Sequence, residues 1–338
     1  MRTLRTCPQP VDTDLNRRGF LKRSVLGATG AVAALSLEER ALQAAGATPT
    51  TTVATGASGQ VPMGKIGNVE ISRLICGGNL ISGYAHARDL IYMSRFLKEY
   101  FTDDRILNTW QVCEEHGINT MIVNPDDDKA VQLFKRYRKE RGGKMQWLAQ
   151  TGPKEDDMGS FVRRAIDNGA AAVFLLGNLG DQWTFEQKVD RIGEFVASVR
   201  KEGVVSGVAG HSLEMLEAVS AAGIPNDFFM KTLHHSNYWS ARRDGQDRPV
   251  IKNYAIDNYY DMEPDKTIAF MARSKKPWIA YKVLAAGAIH PRDGFDYAFK
   301  NGADFACVGM FDFQVAEDVE IANTVISRYA QRERRWCA

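Results

Sequence analysis

The chain has 338 residues, 44% hydrophobic and 25% charged, a globular composition that excludes wholesale disorder, collagen-like repeats and coiled coils. Lys and Arg number 43 against 41 Asp and Glu, so a formal charge of +2 leaves no basic excess for nucleic acid. Five cysteines without a CxxC pair argue against a disulfide scaffold or a zinc knuckle.

The first element reads as an address. Asn16-Arg17-Arg18-Gly19-Phe20-Leu21-Lys22 is similar to a twin-arginine export motif, and a weakly apolar stretch from Val25 to Leu37 follows it. Ala45-Gly46-Ala47 then supplies a small-x-small cleavage site. This is the order of charged region, apolar region and cleavage site expected of an export signal. We expect residues 1–47 to be read by the twin-arginine export machinery, and cleavage after Ala47 to leave 291 residues in the periplasm or outside the cell. Beyond the signal no run of about 18 charge-free apolar residues occurs, so the mature form is expected to have no membrane span. Residues 48–62 are polar, small and Pro/Gly-bearing, and read as a flexible linker. Cys76, Cys113, Cys307 and Cys337 survive cleavage, and the apolar surroundings of Cys113 and Cys307 predict buried thiols.

From Met63 onward, short apolar runs alternate with helix-period segments. The predicted strands are Arg73–Gly77, Asn119–Val123, Gln146–Thr151, Ala172–Leu176, Val205–Ala209, Phe228–His234, Trp278–Val283 and Phe305–Gly309. Each is brief and apolar, as a strand buried on both faces requires. Helices are predicted over Asp104–His116, Thr184–Glu202 and Leu213–Ala222, with Ser212 as a cap and Gly117, Gly203 and Gly223 as stops. Eight strand-helix units over residues 63–338 predict an α/β fold, a closed (β/α)8 TIM barrel in one domain. An open doubly wound sheet is disfavoured, because no GxGxxG follows the first strand.

Several segments resemble the aldo/keto reductase superfamily. They are the entry Met63-Gly64-Lys65-Ile66-Gly67-Asn68-Val69-Glu70-Ile71-Ser72-Arg73-Leu74, the run Glu114 to Thr120, the run Ile279 to Ile289, and Val308-Gly309-Met310-Phe311-Asp312 with Val315 to Val319. The resemblance implies a barrel floored by a small hairpin. It also implies carbonyl reduction by an Asp-Tyr-Lys-His tetrad with a nicotinamide cofactor. In this register Ile122 stands at the Asp position, Thr151 at the Lys position and Gly177 at the His position, and no tyrosine follows the second strand. An Ile, a Thr and a Gly cannot protonate a nascent alkoxide, so the usual reaction is not expected. Phe311-Asp312-Phe313 occupies the region implied for the cofactor phosphates, with no basic residue until Arg328, which argues against NADP.

In such barrels the active site lies at the C-terminal ends of the strands. The polar strand-end residues are Asn79, Asn124, Asp126, Gln150, Asn178, His211, His234, His235, Lys282 and Asp312, with His86 in the long loop after the first strand. His211, His235 and Lys282 are the catalytic candidates. A lysine in an apolar strand is costly unless paired or functional, so Lys282 reads as a base, a Schiff-base nucleophile or an ion-pair partner. Lys231 lies earlier in its strand and reads as structural. Asn79, His86, Asn124, Gln150, Asn178, Tyr238 and Trp239 are candidate substrate contacts. His234, His235 and Asp126 form a candidate divalent-metal set, although their spacing matches no metal signature. The loop from His235 to Pro264, with Tyr238, Trp239, Tyr254, Tyr259 and Tyr260, suits a lid over a sugar or an oligomer contact.

The expected function is acid/base or metal-assisted chemistry of lyase, isomerase or hydrolase type on a small hydroxylated or carbonyl substrate. A nicotinamide-dependent reductase with a relocated proton donor (Tyr84 or His211) is the first alternative. A non-catalytic periplasmic sugar-binding barrel is the second.

Overall fold

The structure, a computed structural model, describes residues 60–87, 90–243 and 260–337. The expected export signal, residues 48–59 of the linker, and Tyr254 and Tyr259 lie outside the described residues. At the end of the linker Val61 is buried, and the Arg73 amide donates to the Pro62 carbonyl at 2.8 Å.

A short strand of apolar residues can be buried on both faces only if side chains cover each face. A closed parallel sheet ringed by helices does this. The eight strands are β3 (Leu74–Cys76), β4 (Thr120–Val123), β5 (Gln146–Thr151), β6 (Ala172–Leu175), β7 (Val205–Gly210), β8 (Phe228–Thr232), β9 (Trp278–Tyr281) and β10 (Phe305–Val308). They pair in parallel, and β10 closes the ring against β3. Each predicted strand is present with its ends moved by at most two residues. Successive side chains alternate between faces. Ile75, Ile122, Leu148, Phe174, Met230 and Ile279 therefore fill the barrel interior. Their neighbours Leu74, Met121, Trp147, Val173, Phe229 and Trp278 join the outer core beneath the helices.

The floor is a hairpin of β1 (Met63–Ile66) and β2 (Val69–Ser72). Ile66, Val69 and Ile71 plug the interior in one cluster with Val205, Phe228 and Phe305. Burying each such side chain is worth roughly 1.5–3 kcal/mol. The tight turn needs Gly67, whose φ is 59° and whose added Cβ would lie 2.8 Å from Val205 Cγ2. The floor closes one end, so a ligand enters from the strand C-termini.

The α-helices among the described residues are α1 (Met93–Tyr100), α2 (Asp103–Glu115), α3 (Asp128–Arg141), α4 (Ser160–Asp167), α5 (Gly177–Phe185), α6 (Val189–Lys201), α7 (Leu213–Ala221), α8 (Pro264–Arg273), α9 (Pro291–Lys300) and α10 (Val315–Arg328). Among the described residues none is long and apolar enough to cross a membrane. Local chemistry sets their starts. Thr102 caps α2, Asp127 caps α3 and Ser212 caps α7. The expected helix over Thr184–Glu202 is instead two helices, separated where Gln187 takes φ 58°. The difference matters, because α5 replaces what reads in sequence as a mouth loop.

Buried charges are paired where they are structural. Asp304 is fully buried and receives Arg332 at 3.0 Å and Arg334 at 2.8 Å. Lys231 points out of the barrel from β8 and meets Asp261 at 3.4 Å, both side chains being buried. Its structural reading fits this pairing.

Candidate active site

The mouth holds a cavity of about 810 Å³ at the strand C-termini, within the range of small-molecule sites. Asn79, His86, Asn124, Gln150, Asn178, His211 and Lys282 line it, as does Tyr84. Five non-glycine residues among those described have positive φ, and four of them (His86, Lys282, Ala285 and Ala286) line this cavity. Backbone strain of this kind is costly and clusters where function demands it.

One corner concentrates titratable groups. The last residue pair of β9 places Tyr281 inward, its ring 5.3 Å from that of His211 at the end of β7. Lys282 follows with φ 58°. Asp181, on α5, lies behind His211. Asp181 Oδ2 is 2.7 Å from His211 Nδ1, while its Oδ1 accepts from the amides of His211 at 2.9 Å and Ser212 at 3.0 Å. A carboxylate only accepts, so Nδ1 carries the imidazole proton, and Nε2 is the basic nitrogen directed away from Asp181. Burial lowers the His211 pKa from 6.5 to about 4; Asp181 opposes the shift, and the charges of Lys282 and His86 add to it. Near neutral pH the ring is therefore an uncharged base held in one tautomer. Gly177, the first residue of α5, makes room for the corner. A Cβ there would lie 2.8 Å from Tyr281 Oη and 3.1 Å from His211 Cε1.

The sequence reading missed Tyr281 and Asp181. Tyr281 carried a visible signal, since it precedes the strand-end lysine on an inward-facing position. Asp181 carried none, because the glycines of α5 conceal a helix.

The residues that the register sets at the tetrad positions lie as follows. Ile122 is buried in the barrel interior, Thr151 is buried at the end of β5, and Gly177 opens α5.

Other candidates fall elsewhere. His234 is buried, with Nδ1 at 3.0 Å from the His235 carbonyl and Nε2 accepting from the Asp261 amide at 3.0 Å. Both ring nitrogens serve the backbone, and burial holds the pKa low. The expectation that His234 ligates a metal is corrected on this ground. His235 packs its ring against Tyr238 and Tyr297 and does not line the cavity. His235 lies three residues beyond Thr232, the last residue of β8. Asp126 is engaged by the Gly152 amide at 3.1 Å, with its pKa raised by burial. Among the described residues no group of three or more His, Cys, Asp or Glu is placed to hold a metal ion. The set His234, His235 and Asp126 is therefore not assembled. Tyr238 and Trp239 do not line the cavity, and Trp239 is 73% exposed.

Asp312 also differs from expectation. Tyr100 donates to it at 2.6 Å, Arg105 at 2.7 Å and Asn108 at 3.2 Å. A cation from α2 thus meets the charge that was expected to repel a phosphate. The cavity nevertheless offers a phosphorylated dinucleotide little. Among the described lining residues there is no arginine, and Asp318 stands in the first turn of α10 next to Glu317. These residues do not fit NADP.

No family model matches the chain, and no curated protein matches it. Among solved structures it is similar to two from Pseudomonas aeruginosa, each titled as an aldo-keto reductase by provisional assignment. One is 16% identical with a TM-score of 0.53, over 78% of this chain and 94% of the other. The second is 17% identical with a TM-score of 0.54, over 78% of this chain and 95% of the other. The chain has an aldo/keto reductase-like barrel. At these identities the likeness concerns the fold, and the chemistry has to be argued from the residues at the mouth.

Proposed function

We propose that this chain is an exported aldo/keto reductase-like barrel enzyme that performs acid/base chemistry on a small carbonyl or hydroxylated compound. The observation that supports this reading is the meeting of Asp181, His211, Tyr281 and the Lys282 segment at one corner of a single cavity. Neutral His211 takes a proton from carbon or oxygen of the substrate through Nε2. Asp181 stabilises the imidazolium that forms and fixes the ring. The Lys282 ammonium and the Tyr281 hydroxyl offer charge and a proton to the developing oxyanion. Asn124, Gln150 and Asn178 orient the polar groups of the substrate.

The reaction type is lyase, isomerase or hydrolase, and no metal is needed for these steps. Residues 1–47 act as the twin-arginine signal in this reading, and the mature protein works in the periplasm or outside the cell. A turnover screen of small hydroxycarbonyl compounds and sugars tests it. His211→Ala and Lys282→Ala each lower the activity found by about 10²-fold or more; turnover left intact in both variants refutes the assignment.

A Tyr, a Lys and a His–Asp pair at one mouth also favour a second reading, a reductase whose proton donor is Tyr281. Fluorescence titration with NADH and NADPH separates the two, because only the second reading requires saturable binding.

A further inference from the structure

A second cavity, of about 150 Å³, lies where β4, α2, α3 and the segment after β3 meet. Trp110, Phe101, Ile106 and Leu133 are buried walls, and the exposed Lys98 and Lys129 stand at its rim. It meets the mouth cavity along Gly78, Ile122 and Asn124, but His211, Tyr281 and Lys282 do not line it. Trp110 is 2% exposed, and its Nε1 has no hydrogen-bond partner among the described residues. Elsewhere indole N–H groups find carbonyls: Trp147 Nε1 donates to Val123 at 2.9 Å and Trp336 Nε1 to Tyr329 at 3.2 Å. Trp278 Nε1 also lacks a partner, but Trp278 lines neither cavity.

An indole N–H withdrawn from water and left unpaired destabilises a fold, so each such group calls for a partner. Indole only donates, and the missing partner is therefore an acceptor. Water fits poorly. A buried water makes about three hydrogen bonds, and the other buried side chains of this cavity are apolar. An anion fits poorly too. Its charge would have to be desolvated beside Trp110, while both lysines stay at the exposed rim and Lys129 already meets Asp103 at 3.0 Å. The volume sets the size, since an apolar protein cavity of about 150 Å³ holds a benzene ring.

We propose that this cavity is a second binding site, for a compact neutral ring compound that is apolar apart from one acceptor, and that Trp110 Nε1 donates to that acceptor. The acceptor is a ring nitrogen or an ether or carbonyl oxygen. The site goes beyond the acid/base reading and does not depend on it, because no group of the catalytic corner takes part.

NMR titration of the full chain with pyridine and benzene tests it, two rings of one shape of which only pyridine carries an acceptor. In 15N-tryptophan-labelled protein, the Trp110 indole resonance is the one missing from Trp110→Phe. Pyridine at neutral pH moves this proton downfield and saturates. By ligand-observed titration, Trp110→Phe weakens pyridine about five- to tenfold, the worth of one hydrogen bond, and benzene about twofold or less. Ala130→Leu, on the α3 wall, fills the space and abolishes binding of both rings while circular dichroism is unchanged. His211→Ala leaves both affinities as they were. The proposal is overturned if pyridine does not move the Trp110 resonance, if Trp110→Phe weakens both rings alike, or if Ala130→Leu still binds them. Loss of pyridine binding in His211→Ala also overturns it, by placing the ring at the mouth. The catalytic reading is judged separately, by turnover.

Discussion

Replacing Asp181 by Asn probes the corner without disturbing its shape. Oδ1 of Asp181 accepts from the amides of His211 at 2.9 Å and Ser212 at 3.0 Å, while Oδ2 is 2.7 Å from His211 Nδ1. The two amide donors fix the orientation of an Asn, whose oxygen must stay on the backbone side. Its NH2 group then faces Nδ1 and donates, so the imidazole proton moves to Nε2. The ring keeps its place and loses its basic nitrogen toward the cavity. Long-range 1H–15N correlation on 15N-histidine-labelled protein reads this directly, with a protonated Nδ1 in the wild type and a protonated Nε2 in Asp181→Asn. Activity falls about 10²–10⁴-fold, the usual worth of a general base. Loss of a charged hydrogen-bond partner costs about 1–3 kcal/mol in urea unfolding.

The same experiment carries a pH dependence. The folded-state pKa of His211 is depressed from 6.5 to about 4. The neutral ring therefore contributes stability that is fully present above pH 6.5 and is lost as pH falls toward 4. The depression corresponds to about 3 kcal/mol. His211→Gln removes that limb of the stability curve. An identical tautomer in wild type and Asp181→Asn, or titration of His211 near its ordinary value, would refute the reasoning.

Three further outcomes follow from the geometry. Gly177→Ala places a methyl group 2.8 Å from Tyr281 Oη, and turnover falls on the order of 10²-fold while circular dichroism is unchanged. Lys282→Gly relieves the positive φ yet removes the ammonium, so steady-state kinetics show a kcat loss of about 10²-fold without loss of thermal stability. Asp261→Ala strands Lys231 in the interior and costs about 3–5 kcal/mol in urea unfolding, most of which Lys231→Met recovers in the double variant.

The barrel was legible because its constraints are local and repeated. Runs such as Ala172–Leu175 and Trp278–Tyr281 have apolar residues facing both ways, and glycines at 117, 203 and 223 mark where helices stop. The mouth was legible wherever a polar residue directly follows a strand, as at His211 and Lys282. It was not legible where tertiary structure overrides local pattern. Helix α5 contains Gly177 and Gly180, which disfavour helix, and its place is set by packing on β7. Asp181 was hidden with it. The predicted strand ran on to His234, whereas β8 ends at Thr232, so both histidines lie beyond it.

Deuterium exchange tests proton transfer at this mouth most directly. The purified chain is incubated in D2O with dihydroxyacetone, glyceraldehyde, fructose and glucose, and 1H NMR follows the hydrogens adjacent to each carbonyl. The wild type washes deuterium into at least one of them, and His211→Ala and Asp181→Asn do not. Exchange that persists in both variants, or no exchange by the wild type in any compound, contradicts the assignment of His211 as the base.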